Sequence, residues 1–317
     1  MPSYNQTVIY RGKQIMKFGH YVKQCRERYN LTQEELVEHL FLYDPLFSKL
    51  DVVTLSRWER EVTCPNVEKQ SAFIASLRTF SHSLFPSFDL FEFEKLKPHS
   101  SNFNMSKALS KQKRYVLNFP NDLIETDKIE IMNMKDAQDF YSSLKLTYEL
   151  HKKITNDFSN LTFEQFQLWA SHPKSFFLLA TYENHFFGMF FSLQLKTKVF
   201  NDLLNFEMRE EEIIHEHFAQ DGEESSEYLL GLFAYSKESA SLLILHYFKH
   251  LIEEEKHIEN LGAIVKVDPG HKLASHLGLN PTDGKLSTPF AYQAKLKDVI
   301  LNPGVLNVLF EKFSSAE

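Results

Sequence analysis

The chain has 317 residues, of which 43% are hydrophobic and 14% aromatic, so it can bury a large core and is not a disordered tail. Its length fits two domains better than one. Charge is uneven, because residues 1–80 carry eleven basic and nine acidic side chains, a net +2, whereas residues 81–317 carry 24 basic and 33 acidic side chains, a net −9.

Cysteine content and hydropathy exclude several classes of protein. Two cysteines, Cys25 and Cys64, are too few for a disulfide framework or a four-cysteine zinc site. The first residues lack the apolar core of a signal peptide, and Lys196 and Lys198 close the longest apolar run, Ser175 to Leu195. We expect no metal site, no membrane span and a cytoplasmic protein.

The N-terminal part predicts four helices. Apolar residues recur at spacings of four, three and four from Phe18 to Tyr29, which indicates a first helix. Thr32 with Glu35 forms a capping box for a second helix, Asp51 caps a third, and Asn66 starts a fourth. This segment therefore predicts an all-α domain over residues 1–85.

A polar stretch separates this domain from the rest. Residues 97–113 (KPHSSNFNMSKALSKQK) are rich in Pro, Ser, Asn and Lys, and the apolar periodicity already breaks at Phe85-Pro86. We interpret residues 86–113 as a linker and residues 114–317 as a second domain.

The second domain predicts an α/β fold with a mixed central sheet. The order is a strand, two helices, a hairpin that turns at Glu183-Asn184, and then strands alternating with helices. The corresponding segments are DKIEIMNM, DAQDFYSSLKLTYELHKKI, a helix capped by Thr162 and Gln165, SFFLLATY, HFFGMFFSLQL, YLLGLFAYS, a helix over 238–257, AIVKV, HKLASHLGL and FAYQAKL.

The N-terminal segments LTQEELVEHL, DVVTLSRWERE and CPNVEKQSAFIASL resemble the XRE-type (phage repressor/Cro-like) helix-turn-helix family over residues 15–80. The resemblance implies a domain that binds a double-stranded DNA operator. Two features depart from the family: the connection FLYDPLFSKL is long and contains Pro45, and Glu61 stands where the family often has glycine.

The third helix carries the predicted reading residues. Leu55 and Trp58 form its apolar back, whereas Arg57 faces outward and is suited to bidentate contact with guanine. The resemblance makes Glu59 a structural acid and Gln33 a phosphate contact. The remaining predicted DNA contacts are Lys49, Val52, Val53, Thr54, Ser56 and Arg60. Because a net +2 gives modest phosphate affinity, we expect a homodimer that reads two half-sites.

The body resembles the GNAT-type N-acyltransferases over residues 128–297, through YLLGLFAYS followed by SKESASLLILHYFKHLIEEE and through AIVKVDPGHKLASHLGLNP. The resemblance implies a crevice between the fourth and fifth strands for an acyl chain and its carrier. It also implies a glycine-containing turn that binds the diphosphate of coenzyme A. Here that turn, Tyr235 to Ser241, has no glycine and contains Glu238, which leaves Lys237, Ser239 and Ser241 as candidate cofactor-binding residues.

The residue at the position of the family's general acid also differs. Counting back four residues from Gly278 gives Ala274 where the family often has a general-acid tyrosine. His271 and His276 flank this position, but surface roles for both are favoured. We therefore expect no catalytic residue and no resident cofactor, with an acyl-CoA or another apolar small molecule as the candidate effector.

Three other patterns are interpreted as structural. The hairpin aromatics are expected to form sheet core, although they also suit an apolar pocket. The acidic stretch from Glu207 to Glu227, with His215 and His217, is expected to be a solvated surface and not a metal site. Cys25 and Cys64 are expected to pack inertly and not to form a redox switch. The hairpin aromatics in question are Phe176, Phe177, Phe186, Phe187, Phe190 and Phe191.

The sequence thus predicts a sequence-specific transcription regulator whose body senses a ligand or mediates dimerisation. An active acyl-CoA-dependent N-acyltransferase with an accessory DNA-binding domain is the alternative. A protein-interaction module that binds no DNA is a third interpretation.

Overall fold

The computed structural model describes residues 16–91, 128–137, 139–154, 160–265, 268–282 and 289–310. Most of the predicted linker lies outside these residues. The described helices are α1 Phe18–Arg28, α2 Gln33–Tyr43, α3 Val52–Glu59, α4 Val67–Leu77, α5 Phe140–Ile154, α6 Phe163–Ser171, α7 Thr197–Leu204, α8 Lys237–Glu253, α9 Asp268–His276, α10 Leu296–Ile300 and α11 Pro303–Leu309. The described strands are β1 Ile129–Asn133, β2 Ser175–Tyr182, β3 His185–Lys196, β4 Ser225–Ala234, β5 Ile258–Val265, β6 Asn280–Pro281 and β7 Phe290–Lys295.

The starts of three N-terminal helices are set by the predicted caps. The Thr32 side chain accepts a hydrogen bond from the Glu35 amide, and the Thr32 amide donates one to the Glu35 carboxylate, which confirms the capping box. Asp51 and Asn66 cap α3 and α4 through one bond each, which their side chains accept from the amides of Thr54 and Lys69. The connection that contains Pro45 forms a short 3-10 turn before α3. The DNA-binding role of these helices remains a prediction.

The body is built on one seven-stranded sheet with the order β1-β2-β3-β4-β5-β7-β6. Only β4 and β5 are parallel among the described neighbours, so the predicted mixed sheet is confirmed. The hairpin turns at Glu183 and Asn184, which both have positive φ, as a two-residue hairpin turn requires. Helices α5 to α7 cover one face of the sheet and α8 covers the other.

The two parts of the chain share a hydrophobic core. The ring of Phe310, which follows α11, lies 5.0 Å from the ring of Phe18, 5.4 Å from Tyr21 and 5.3 Å from Phe91. Polar contacts flank this cluster, since the Leu84 amide donates to a Glu255 carboxylate oxygen at 2.8 Å. The N-terminal helices are therefore docked on the body.

Removing the Phe310 ring should destabilise both parts together. We expect Phe310→Ala to lower the free energy of unfolding by about 3–5 kcal/mol, because a buried phenyl ring leaves a cavity. Phe41→Ala, at a site that is 55% exposed, is the matched control and should change it by less than about 0.5 kcal/mol. Urea unfolding followed by fluorescence and circular dichroism measures both, and equal effects of the two variants would contradict the shared core.

Candidate functional site

Helix α3 buries one face and exposes the other. Leu55 and Trp58 are 0% and 4% exposed, within the core of the N-terminal part. Val53 is 64% exposed, and Arg57 and the C-cap residue Arg60 are exposed as well. These three residues follow one another at spacings of four and three, so they share one side of the helix. That side presents two guanidinium groups and one branched apolar side chain.

The other predicted DNA contacts differ in exposure. Lys49 is exposed in the segment before α3, whereas Val52, Thr54 and Ser56 are half-buried. The Thr54 amide is held by the Asp51 cap at 2.7 Å. The structure therefore gathers these residues around the start of α3.

Glu59 anchors α3 to the two preceding helices. Its carboxylate accepts hydrogen bonds from Arg26 Nε at 2.6 Å, from Arg26 Nη2 at 3.2 Å and from Gln33 Nε2 at 2.7 Å. The Glu59 side chain is only 5% exposed, and this pairing raises the pKa of Arg26. Gln33, the predicted phosphate contact, thus directs its amide nitrogen to Glu59.

Glu61, which stands where the helix-turn-helix pattern often has glycine, adopts a backbone conformation that is typical of glycine. Glu61 has φ 60°, a left-handed conformation that favours glycine and costs a non-glycine residue about 1 kcal/mol. Its carboxylate accepts a hydrogen bond from Lys17 Nζ at 2.8 Å. Close by, a Cβ on Gly19 would lie 2.0 Å from the Trp58 carbonyl oxygen, so α1 and α3 approach closely.

Loss of the Glu59 anchor should be costly. Glu59→Ala leaves the Arg26 charge without its partner, and we expect the free energy of unfolding to fall by about 3 kcal/mol. Glu27→Ala, which removes a half-exposed carboxylate of the same helical cluster, should cost less than about 1 kcal/mol. Chemical denaturation of the two variants measures the difference, and a similar loss in both would show that α3 is not held by Glu59.

A second candidate site lies where β4 and β5 separate. The strands pair from Ser225 to Leu229 on β4 and from Ile258 to Ala263 on β5. Beyond this point β4 pairs with β3 alone, and β5 pairs with β7 alone. The separation opens a crevice of about 100 Å³. It is lined by His151, Met189, Phe190, Glu210, Leu229, Leu230, Gly231, Leu232, Ala263, Ile264, Val265, Gly270, Leu273, Ala274, Leu277 and Leu279.

Two titratable side chains face this otherwise apolar crevice, His151 and Glu210. Both are buried, and Tyr228 Oη donates a hydrogen bond to Glu210 Oε1 at 2.6 Å. Burial, and to a lesser degree the Glu210 carboxylate, holds the pKa of Tyr228 well above its usual value. The phenol therefore keeps its proton and remains a donor to Glu210.

The start of α8 does not fit the diphosphate of coenzyme A. Ser236 and Ser239 cap each other, with the Ser236 hydroxyl accepting from the Ser239 amide at 3.1 Å. Ser239 and Ser241 are 0% and 4% exposed, so neither hydroxyl faces open solvent. Glu238 is buried in the same turn, and one of its carboxylate oxygens has no hydrogen-bond partner among the described residues. The Lys237 side chain lies outside the described groups.

Ala274, which stands where the resemblance implies a general-acid tyrosine, lies at the crevice. Ala274 is 3% exposed and lines it, whereas the two flanking histidines have other partners. His271 Nδ1 lies 2.9 Å from Tyr292 Oη, and His276 Nδ1 donates to the Lys272 carbonyl oxygen at 2.7 Å. The methyl side chain of Ala274 has no proton to donate, so this position contributes no general acid to the crevice.

The interpretation of Glu207 to Glu227 as a solvated surface is wrong for two of its acids. Glu210 is 9% exposed and Glu227 is fully buried. Tyr228 donates a hydroxyl hydrogen bond to Glu210 and Ser192 donates one to Glu227, whereas the second Glu227 oxygen has no hydrogen-bond partner among the described residues. His215 and His217 belong to a short 3-10 turn, and the described residues contain no group of three or more potential metal ligands.

The cysteines and the hairpin aromatics behave as core. Cys25 is fully buried, and burial raises the pKa of its thiol to about 11. Cys64 is partly buried, and its thiol pKa is also raised by burial. Of the six hairpin aromatics, four are buried, and Phe190 is the one that lines the crevice.

Sequence reasoning missed three features of the crevice: His151, Glu210 and Gly231. A single glycine inside the predicted strand YLLGLFAYS was an available signal, because such a residue often marks a bulge or a close approach. The register between β3 and β4 does shift beside it, between Phe191 and Ser192. No local signal distinguishes Glu210 from its exposed acidic neighbours.

No family model and no curated protein matched the sequence. Among solved structures, the chain is similar to FeeM, an N-acyl amino acid synthase from uncultured soil microbes, with 12% identity over 54% of this chain and 91% of that chain and a TM-score of 0.38. It is also similar to the N-acetyltransferase PseH of Campylobacter jejuni, with 14% identity, coverages of 53% and 98% and a TM-score of 0.31. It is likewise similar to an N-acetyltransferase from Staphylococcus aureus Mu50, with 12% identity, coverages of 53% and 97% and a TM-score of 0.33.

These similarities cover about half of the chain and transfer no function, because identities and TM-scores are low. The described sheet of this chain has its own strand order, β1-β2-β3-β4-β5-β7-β6, with one parallel pair between β4 and β5. No described helix combines the length and the hydrophobicity needed to cross a membrane.

Proposed function

We propose that this chain is a sequence-specific transcription regulator in which α3 reads an operator and the GNAT-like body senses a ligand or mediates dimerisation. The observation that carries the proposal is the divided surface of α3, with Val53 and Arg57 one turn apart outside and Leu55 and Trp58 inside. A helix that enters the major groove needs both a scaffold face and a reading face.

The chemistry of the exposed face suits base recognition. The Arg57 guanidinium can donate two hydrogen bonds to the N7 and O6 atoms of guanine, and the Val53 methyl groups suit contact with a thymine methyl. Arg60 and Lys49 supply positive charge for neighbouring phosphates. The Glu59 anchor supports this role because it limits tilting of α3 against α1 and α2.

The low net charge of the N-terminal part favours a dimer. A net +2 over residues 1–80 supports few phosphate contacts, so one copy would bind weakly. Two copies that read half-sites about one helical turn apart would add their contacts.

An active N-acyltransferase is the second candidate, and the crevice between β4 and β5 favours it. The mutually capped serines and the buried Glu238 at the start of α8 oppose it, because the Ser236 hydroxyl occupies one N–H group of the helix start and Glu238 adds a carboxylate to the same turn. Incubation with acetyl-coenzyme A and a panel of amines tests this candidate, and we expect no turnover above background.

Replacement of Arg57 tests the proposed function. Duplexes selected from a random library should enrich one sequence, and Arg57→Ala should weaken its binding by about 1–3 kcal/mol, or roughly 5- to 150-fold, relative to a scrambled duplex. Fluorescence anisotropy measures both affinities.

Lys23→Ala is the matched control, because it removes the same charge from an exposed position on α1. It should weaken both duplexes by a similar small factor and preserve their ratio. Failure to enrich any sequence, or an unchanged ratio in Arg57→Ala, would overturn the proposal.

A further inference from the structure

The outward side of α3 changes its chemistry along the helix. Val53 is the second residue of the helix, Arg57 lies one turn later, and Arg60 caps the C-terminal end. A short apolar side chain therefore stands near the start, and two long guanidinium side chains stand further along. The Arg57 side chain makes no hydrogen bond or ion pair within the described part of the chain. Arg60 Nε, by contrast, donates to the Ser56 carbonyl oxygen at 3.2 Å.

The charge at the start of α3 restricts how this helix can approach DNA. Asp51 is exposed, and hydrogen bonds from the side chain and the amide of Thr54 lower the pKa of its carboxyl. Asp51 is therefore an anion at neutral pH, and a phosphate placed beside it would be repelled. The same charge offsets the positive end of the helix dipole, which would otherwise attract phosphate. The start of α3 is thus better placed over base edges than against a DNA backbone.

Val53 suits one feature of the major groove. Base edges there present hydrogen-bond donors, hydrogen-bond acceptors and one projecting apolar group, the 5-methyl group of thymine. A valine against a donor or an acceptor would displace its water without replacing the hydrogen bond, which costs free energy. Contact with the thymine methyl instead removes two apolar surfaces from water. Val53 is 64% exposed, so most of its side chain can make such a contact.

The spacing of Val53 and Arg57 sets the spacing of the bases that they can reach. Four residues of α-helix advance about 6 Å, and successive base pairs of DNA lie about 3.4 Å apart. A helix that lies along the groove therefore brings the two side chains to positions about two base pairs apart. The short Val53 contacts bases where the helix start comes closest, and the longer Arg57 reaches guanine from one turn further out.

We infer that α3 recognises a half-site in which a thymine lies about two base pairs from a guanine, with the thymine 5-methyl group against Val53 and the guanine against Arg57. The inference rests on the proposed function and deepens it, because it names the base pattern of the operator and the chemical group that selects one of its bases. Loss of a single methyl group from the DNA, with base pairing unchanged, therefore weakens binding.

Substituted bases in the selected duplex test the inference. Each thymine of one half-site is replaced in turn by deoxyuridine, which lacks the 5-methyl group, and each guanine by 7-deazaguanine, which lacks the N7 acceptor. We expect one deoxyuridine position to weaken binding about fourfold, the effect of exposing one buried carbon. One 7-deazaguanine position should weaken it about tenfold, because a charge-assisted hydrogen bond is lost. Fluorescence anisotropy with the full chain measures each affinity.

Two valine variants assign the methyl contact. Val53→Ala should lower the ratio of thymine to deoxyuridine affinity at the sensitive position from about four to below about two, and should retain the 7-deazaguanine effect. Val62→Ala is the matched control, because Val62 is 50% exposed but lies beyond the end of α3. It should leave the ratio unchanged. Both side chains are on the surface, so neither substitution is expected to unfold the chain.

Arg57→Ala should give the reciprocal result, with the 7-deazaguanine effect lost and the thymine-to-deoxyuridine ratio retained. Three results would overturn the inference: a ratio of about one at every thymine, a ratio that Val53→Ala leaves unchanged, or a sensitive thymine more than about four base pairs from the sensitive guanine. If one of these occurs on an enriched duplex that still depends on Arg57, the proposed function stands and the inference fails. If no duplex is enriched, both fail.

Discussion

The ring of Phe310 joins the two halves of this molecule. It comes from the end of α11, yet its neighbours are Phe18, Tyr21 and Phe91. Burial of aromatic rings and their edge-to-face contacts stabilise such a cluster by several kcal/mol, so separating the halves is costly. The orientation of α3 relative to the sheet is therefore fixed by packing and not left to a tether.

The same packing connects the crevice to the N-terminal helices. Helix α9 lines the crevice with Leu273 and ends near Gly278, whose left-handed backbone lies against the side chain of Asn302. Asn302 caps α11, and α11 leads to Phe310. Because these elements are close-packed, an occupant that displaced α9 would alter the surface on which α1 and α4 rest. Under the proposed function, linkage makes any change in DNA affinity depend on how far a ligand prefers one arrangement.

Local interactions explain which features the sequence could predict. The boxes at Thr32 and Thr162 and the turn at Glu183 depend on residues within four positions, so the printed sequence contains all of their determinants. Helices α10 and α11 have five and seven residues, too few for a helical periodicity to be recognised, and neither was predicted. The crevice depends on where β4 stops pairing with β5, which is a property of strand register and not of either strand alone.

The burial of two acidic side chains, Glu210 and Glu227, also depends on residues outside their local sequence. Glu210 and Glu227 lie in a segment with the composition of a solvated surface, yet both are buried and accept hydrogen bonds from Tyr228 and Ser192, which no local pattern indicates. The outward position of Arg57, by contrast, follows from its offset of one residue from Trp58 on a short helix, so the sequence was sufficient to predict it.

Helix α8 takes part in two separate properties of the molecule, the packing of the sheet and the chemistry of the turn that precedes the helix. The sheet is maintained by many apolar contacts, so it tolerates the absence of glycines from one turn. Anion binding depends on a few free N–H groups at the helix start, and here the Ser236 hydroxyl occupies one of them beside the buried Glu238. Fold and ligand chemistry are therefore set by different residues, and the strand order alone does not select a phosphate-bearing ligand for this sheet.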